Sequence, residues 1–132
     1  NGDVYKGDYA QSKFDGHGEF QYASGARYIG KWKDGNTHGM GEMKFSTGAM
    51  YNGEWQDGKK HGLGTYITPL TVYTGQWRNN QMHGKGHLAT PQGTYEGWFE
   101  QGEQSGYGVR TDPEGGVYRG EWRGGARGRP GA

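Results

Sequence analysis

Aromatic and polar residues alternate along short runs of this chain, and a period of two is typical of β-strands with one buried face. In residues 28–32, Tyr-Ile-Gly-Lys-Trp, both rings and the glycine between them lie on the same side of an extended backbone. Residues 19–22, Glu-Phe-Gln-Tyr, alternate in the same way. Gly-containing segments separate these runs. The pattern therefore predicts an all-β chain of short strands joined by turns.

The first of these runs recurs at a nearly fixed period. Its form Tyr-x-Gly-x-Trp begins at Tyr28, Tyr51 and Tyr73, and looser copies begin at residues 5, 95 and 118. The steps between the leading tyrosines are 23, 23, 22, 22 and 23 residues. Each of the three clear copies is followed by His-Gly-x-Gly, with the histidines at His38, His61 and His83. Self-similarity at one period identifies a repeat array.

Each unit is predicted to be a β-hairpin. Asp34-Gly35 and Asp57-Gly58 are strong hairpin-turn dipeptides, and Asn79-Asn80 also tolerates the positive φ that such a turn needs. A turn centred on Asp34-Gly35 predicts three cross-strand pairs, namely Trp32–Thr37, Gly30–Gly39 and Tyr28–Gly41. A three-residue loop around Gly48 then predicts the pairs Phe45–Tyr51, Met43–Gly53 and Gly41–Trp55. We expect the glycines to let rings from neighbouring strands lie over the backbone.

The full pattern, Tyr-x-Gly-x-Trp-x-x-Gly-x-x-His-Gly-x-Gly at a period near 23, resembles the MORN (membrane occupation and recognition nexus) repeat. The resemblance spans residues 2 to about 125. It implies an elongated, single-layer, twisted antiparallel sheet of tandem β-hairpins. The units are predicted at about 2–24, 25–47, 48–69, 70–91, 92–114 and, in part, 115–125, with a loose polar tail at 126–132.

Composition changes the picture of the core. Only 30% of the residues are apolar and 29 are glycine, but there are ten tyrosines and five tryptophans. Rings must therefore provide most of the buried area. A single layer is expected to leave them uncovered, as an aromatic groove for a partner peptide or helix. The groove residues are predicted to be Tyr28, Trp32, Tyr51, Trp55, Tyr73, Trp77, Tyr95, Phe99, Phe45 and Tyr66. The alternative is that the rings pack on one another and only hold the sheet together.

Charge narrows the range of partners. The net charge is +1, from fifteen basic and fourteen acidic residues interleaved along the chain. That distribution argues against nucleic acid, which needs a clustered basic face. Anionic phospholipids are the alternative ligand, although no cluster of four to eight basic residues is present. The candidate lipid-binding residues are Lys59, Lys60, Arg78, Arg119 and Arg123.

No catalytic or metal-binding motif stands out. The chain has no cysteine, and it lacks the phosphate-binding, nucleophile-elbow and zinc-protease motifs. His38, His61 and His83 are one unit apart, which is roughly 9–10 Å in a sheet. Donors that share a zinc ion lie about 2 Å from it, so these histidines cannot form one site by themselves. The sequence predicts no cofactor, no metal and no enzymatic activity in this segment.

The predicted function is a non-catalytic scaffold that docks a protein partner. The resemblance implies a cytoskeletal, ciliary or membrane-junction assembly, and the absence of a signal peptide or long apolar run favours the cytoplasm, including the inner face of a membrane. One alternative is a peripheral module that binds phosphoinositides. Another is the targeting segment of an enzyme whose catalytic domain lies elsewhere in a longer protein. Exposed end strands also offer edges through which a homodimer could form.

Overall fold

A computed structural model describes residues 2–123 and 126–127, and these residues form one antiparallel sheet. Its order follows the chain, so that each strand pairs with its sequence neighbours. The strands within the described residues are β1 (Val4–Ala10), β2 (Lys13–Gln21), β3 (Arg27–Lys33), β4 (Asn36–Lys44), β5 (Met50–Gln56), β6 (Lys59–Ile67), β7 (Val72–Arg78), β8 (Gln81–Thr90), β9 (Gly93–Glu100), β10 (Glu103–Thr111), β11 (Val117–Arg123) and β12 (Ala126–Arg127). The all-β prediction, with tandem hairpins in a single sheet, is confirmed.

The hairpin turns form where the dipeptides predict them. Asp34 and Gly35 have φ values of 51° and 85°, as a two-residue turn with two positive φ angles requires. These turns also join neighbouring units, because the amide of Gly35 donates to the carbonyl of Phe14, 2.9 Å away, in the preceding unit. The amide of Gly58 donates in the same way to a carbonyl of the second unit, at 3.0 Å. Each turn is therefore fixed by the strand before it.

The pairing predicted within the hairpin holds only next to the turn. Trp32 does face Thr37. The predicted pairs Gly30–Gly39 and Tyr28–Gly41 are wrong, since the observed pairs are Gly30–Gly41 and Tyr28–Met43. The cause is a β-bulge in β4, in which Gly39 has a φ of 72°. Three residues of β4 there oppose one residue of β3, and the register shifts by two.

The predicted pairing between units is also two residues out of register. The loop after β4 is Ser46-Thr47-Gly48, and Gly48 is its last residue with a φ of 96°. The Phe45 amide accordingly donates to the carbonyl of Ala49, at 2.9 Å. The predicted pairs Phe45–Tyr51, Met43–Gly53 and Gly41–Trp55 are replaced by Met43–Tyr51, Gly41–Gly53 and Gly39–Trp55.

Together the two shifts align one glycine from each of the first eleven strands in a single row across the sheet. This glycine ladder consists of Gly7, Gly18, Gly30, Gly41, Gly53, Gly64, Gly75, Gly86, Gly97, Gly108 and Gly120. A Cβ on Gly30 would lie 2.5 Å from the Cα of Gly41, far inside van der Waals contact. A side chain at such a position would collide with the neighbouring strand, so this row of close backbone contacts requires glycine.

The core lies on one face of this sheet, which we call the inner face and which carries Tyr28 and Trp32. Both side chains are buried, with exposures of 0% and 6%. The opposite, outer face carries Lys31 and Lys33, which are exposed. Most of the loose tail predicted for residues 126–132 lies outside the described residues. Its first two residues form β12 and pair with β11.

Candidate interaction surfaces

In the first five units the leading tyrosine lies along its own strand and covers the glycine ladder. The ring of Tyr28 reaches over Gly41, where an added Cβ would overlap the phenol. Its hydroxyl donates to the carbonyl of Lys31, at 2.9 Å, so the buried O–H group has a partner. The same hydrogen bond recurs at 2.8–3.0 Å in three further units, from Tyr51 to Glu54, from Tyr73 to Gln76 and from Tyr95 to Trp98.

Four of the five tryptophans, all on the inner face, lean back over the preceding unit. The indole N–H of Trp55 donates to the carbonyl of Gly41, at 3.1 Å. Trp32, Trp77 and Trp122 make the corresponding bonds to Gly18, Gly64 and Gly108. The glycine of the second strand thus has the ring of its own unit's tyrosine on its Cα and the indole of the next unit on its carbonyl. In the fifth unit Phe99 replaces tryptophan and has no N–H to donate.

The rings form a continuous edge-to-face series along the sheet. The ring centroid of Tyr28 lies 5.1 Å from that of Trp32 and 5.4 Å from that of Trp55, with interplanar angles of 80° and 86°. Tyr51 bridges Trp55 and Trp77 in the same manner, at 5.0 and 5.3 Å. Perpendicular contacts of this kind each contribute about 0.5–1.5 kcal/mol beyond area burial. The units are therefore joined by their aromatic rings as well as by backbone pairing.

The expectation that these rings stand uncovered is wrong. The eight leading rings predicted to line the groove have exposures of 0–7%, and they are Tyr28, Trp32, Tyr51, Trp55, Tyr73, Trp77, Tyr95 and Phe99. Rings of adjacent units and the glycine backbone cover them without a second layer. Burial raises the pKa of the Tyr28 and Tyr51 hydroxyls, and it raises the pKa of Tyr73 to about 12. These side chains build the face, but they present little area to a partner.

A second row of half-buried side chains forms the accessible part of the inner face. We call it the apolar strip, and it consists of Phe20, Tyr22, Met43, Phe45, Tyr66 and Leu88. Phe45 and Tyr66 belong to the predicted groove, and the other four were missed. Met43 and Leu88 each pair with the leading tyrosines of the strands on either side. The correct register would therefore have identified both as members of the strip. The strip ends at β10, where Arg110 occupies the row of Phe20 and Leu88.

The five predicted lipid-binding residues do not form one cluster. Lys60 pairs with Trp55 and lies on the inner face, whereas Lys59 and Arg78 lie on the outer face. Arg119 and Arg123 are also on the outer face but on β11, four strands or about 19 Å from Arg78. Lys59 and Lys60 lie on opposite faces of the sheet because the side chains of consecutive strand residues point to opposite faces.

The outer face carries exposed apolar side chains as well as polar ones. Met40, Leu63, Trp98 and Tyr107 are exposed there, with between 50% and 60% of each side chain accessible. An open cavity of about 470 Å³ on this face is lined partly by Glu54, His61, Leu63, Gln76, Arg78 and His83. The carboxylate of Glu54 accepts the backbone N–H of Leu63 at 2.7 Å, next to the bulge in β6. The acid in this cavity thus has a structural role.

The described residues contain no group of three or more His, Cys, Asp or Glu side chains that could hold a metal ion. His38 sits in the bulge of β4, immediately before Gly39, and its Nδ1 is buried without a hydrogen-bond partner in the described structure. We also find no helix within that part of the chain that is long and apolar enough to cross a membrane.

Comparison with known families gives one match. The sequence profile of the MORN repeat matches six consecutive segments, at residues 5–27, 28–50, 51–69, 73–94, 95–117 and 118–131. Together these segments cover most of the chain. No curated protein shows significant similarity to it.

Proposed function

The chain belongs to the MORN repeat family, and on that premise we propose that it is a scaffold module that docks a partner peptide or helix on its apolar strip. The family is a non-catalytic repeat family, often used in protein or membrane interactions. The observation that supports the proposal most is the strip itself. Its six apolar side chains are only partly buried, on a face whose deeper rings are already covered. Exposed apolar area of this kind marks interaction sites.

The dimensions of the strip suit a helix that runs across the strands. From β2 to β8 it crosses six strand spacings, or about 29 Å, and successive units are about 9.6 Å apart. Seven residues of an α-helix rise about 10.5 Å, so side chains seven positions apart would meet equivalent positions on successive units. A helix of about 20 residues would cover the strip. We propose a cytoplasmic setting, in a cytoskeletal, ciliary or membrane-junction assembly, on the family resemblance alone.

Site-specific crosslinking tests this proposal. A photoreactive phenylalanine analogue is placed at Tyr66 on the strip, and in a matched variant at Leu63, which is exposed on the outer face. We expect a partner from cell lysate to crosslink at position 66 and not at 63. An excess of the unlabelled parent should compete for the partner and reduce crosslinking at position 66. An excess of the unlabelled strip variant Phe45→Ser should not reduce it. Crosslinking at position 63 alone, or at neither position, would contradict docking on the strip.

Binding to anionic lipid is the second candidate, and the outer face supports it. Exposed Leu63 and Trp98 there lie among the basic side chains Lys59, Arg78 and Lys85, a mixture that suits a membrane interface. Vesicles with and without phosphatidylinositol phosphates, at low and raised salt, test this candidate. Attachment that requires the anionic lipid and weakens with salt would support it. Attachment that is equal to neutral vesicles would argue against it.

A further inference from the structure

Among the described residues from β3 to β9, one charged side chain interrupts the aromatic character of the inner face. Lys60 stands opposite Trp55, a position that Thr37 holds in the second unit and Met82 in the fourth. Each of these residues faces the tryptophan of its own hairpin. Among the described residues on the inner face of β3 to β9, Lys60 alone carries a charged group. The presence of a lysine at this position therefore requires an explanation.

The ammonium group of Lys60 is surrounded by rings from three units. Its Nζ lies 5.3 Å from the ring centroid of Phe45 in the second unit and 5.5 Å from that of Trp77 in the fourth. The rings of Tyr51 and Tyr66, from its own unit, are each 5.6 Å away. All four distances fall within the range of cation–π attraction. The cation is thus held at the middle of the apolar strip, between Phe45 and Tyr66.

This cation has no counter-ion on the surface that holds it. Lys60 is half-buried and forms no ion pair with any residue in the described part of the chain. The titratable groups among the rings around it are the phenols of Tyr51 and Tyr66, and neither of these side chains carries a carboxylate. Ring faces attract a cation but cannot accept its hydrogen bonds as a carboxylate does. The ammonium group forms no hydrogen bond with a described residue, so its N–H donors are available to a ligand that reaches this partly exposed side chain.

We propose that Lys60 is an anion-recognition point within the apolar strip, and that the docked segment brings one Asp or Glu side chain to it, flanked by apolar residues. This inference rests on the proposed function, and it specifies the chemistry of the partner. A single ammonium group surrounded by rings matches the single charge of a carboxylate. Phosphate groups carry more charge and are bound by several donors or by arginine clusters, which the inner face of β3 to β9 lacks within the described residues.

Three matched variants test the inference. Lys60→Met places on the inner face the residue that the fourth unit holds at the same position, so the substitution suits the local packing. Lys59→Met removes the adjacent lysine, which lies on the outer face. Phe45→Ser disrupts the strip and keeps both lysines, but it also removes the ring nearest to the Lys60 ammonium group. Circular dichroism and thermal unfolding establish that each variant is folded before it is used.

The probe is a phage-displayed library of random 16-residue peptides, selected against the parent and against each variant. We expect the parent and Lys59→Met to enrich apolar sequences with one Asp or Glu, and Lys60→Met to enrich apolar sequences without it. For a peptide selected on the parent, replacement of its acidic residue by the amide should weaken binding about tenfold or more. The same replacement should have little effect on binding to Lys60→Met.

The possible failures are distinguishable. Peptides that need Phe45 but show equal acidic content on the parent and on Lys60→Met would overturn the role of Lys60 and leave docking on the strip intact. Peptides that bind equally to the parent and to Phe45→Ser, or a selection that yields no specific peptide, would overturn both the docking proposal and the inference that rests on it.

Discussion

The indole N–H of Trp55 donates to the carbonyl of Gly41 across the boundary between two units, at 3.1 Å. The same carbonyl belongs to the glycine that lies beneath the ring of Tyr28. One residue without a side chain thus receives a ring from its own unit and a hydrogen bond from the next. This relationship recurs along the sheet and explains how a single layer can bury its own core.

The fifth unit lacks this inner-face indole, because Phe99 stands where the second, third, fourth and sixth units have tryptophan. We expect Phe99→Trp to add a hydrogen bond to the carbonyl of Gly86, the counterpart of Gly41, and to raise the free energy of unfolding by about 1 kcal/mol. Chemical denaturation followed by circular dichroism measures the change. Trp77→Phe is the converse variant in the neighbouring unit and should be destabilising. A fall in stability for Phe99→Trp would show that this site cannot accommodate the larger ring.

The glycine ladder is expected to be sensitive to a single added methyl group. In Gly41→Ala the new Cβ would overlap the phenol of Tyr28, so we expect a loss of about 3 kcal/mol in the free energy of unfolding. Gly35→Ala is the matched control, since its Cβ meets nothing within 4 Å but its φ is 85°. Positive φ alone should cost about 1–2 kcal/mol. Equal losses in the two variants would mean that ring packing does not require glycine at position 41.

Alkaline pH should unfold the protein through its buried tyrosines. In the unfolded chain tyrosine ionises at pH 10, whereas burial raises the pKa of Tyr73 to about 12 and raises that of Tyr28 and Tyr51 as well. The stability that these groups contribute is therefore complete below pH 10 and is lost as the pH rises through the folded pKa values. The expected slope is about 1.4 kcal/mol per pH unit for each such tyrosine.

Urea unfolding between pH 8 and pH 12, with tyrosinate absorbance recorded in parallel, measures this effect. Ionisation of the buried tyrosines should coincide with unfolding. Tyr73→Phe should reduce the slope above pH 10. A protein that kept its full stability to pH 12 would show that the buried hydroxyls reach solvent without unfolding.

The sequence predicts the positions of the strands and turns of this fold better than it predicts the register in which the strands pair. Period-two alternation and Asp-Gly dipeptides locate the hairpins, and both are local properties. The register depends on the bulge at Gly39 and on the position of Gly48 at the end of its loop. A Gly in either place is compatible with more than one backbone path, so the two-residue shifts could not be derived from residue types alone.

The burial of the rings depends on the same register. Only when Gly41 pairs with Gly30 and Gly53 does Tyr28 have a surface without side chains to cover. The inner-face position of Lys60, by contrast, could be predicted from the sequence. The turn offset that correctly pairs Trp32 with Thr37 also pairs Trp55 with Lys60, because both positions lie before the bulge.

The final expectation concerns the cost of holding an unpaired cation among the rings. Burial lowers the pKa of Lys60 from 10.5, so the folded state binds the proton less tightly than the unfolded state does. Lys60→Met removes that penalty and adds apolar contact, at the loss of a cation–π interaction. We expect it to raise the free energy of unfolding at pH 7 by about 1 kcal/mol. Lys59→Met, on the outer face, should change it by less than about 0.5 kcal/mol.

The pH dependence of the same variant separates charge from packing. The parent should gain stability, relative to Lys60→Met, as the pH rises toward 10.5, because Lys60 loses its proton in the folded state before it does so in the unfolded chain. The advantage of methionine should therefore shrink between pH 7 and about pH 10. A constant difference would assign the effect to packing. A destabilised Lys60→Met would instead mean that the four rings hold the ammonium favourably, so that Lys60 also stabilises the sheet without a partner.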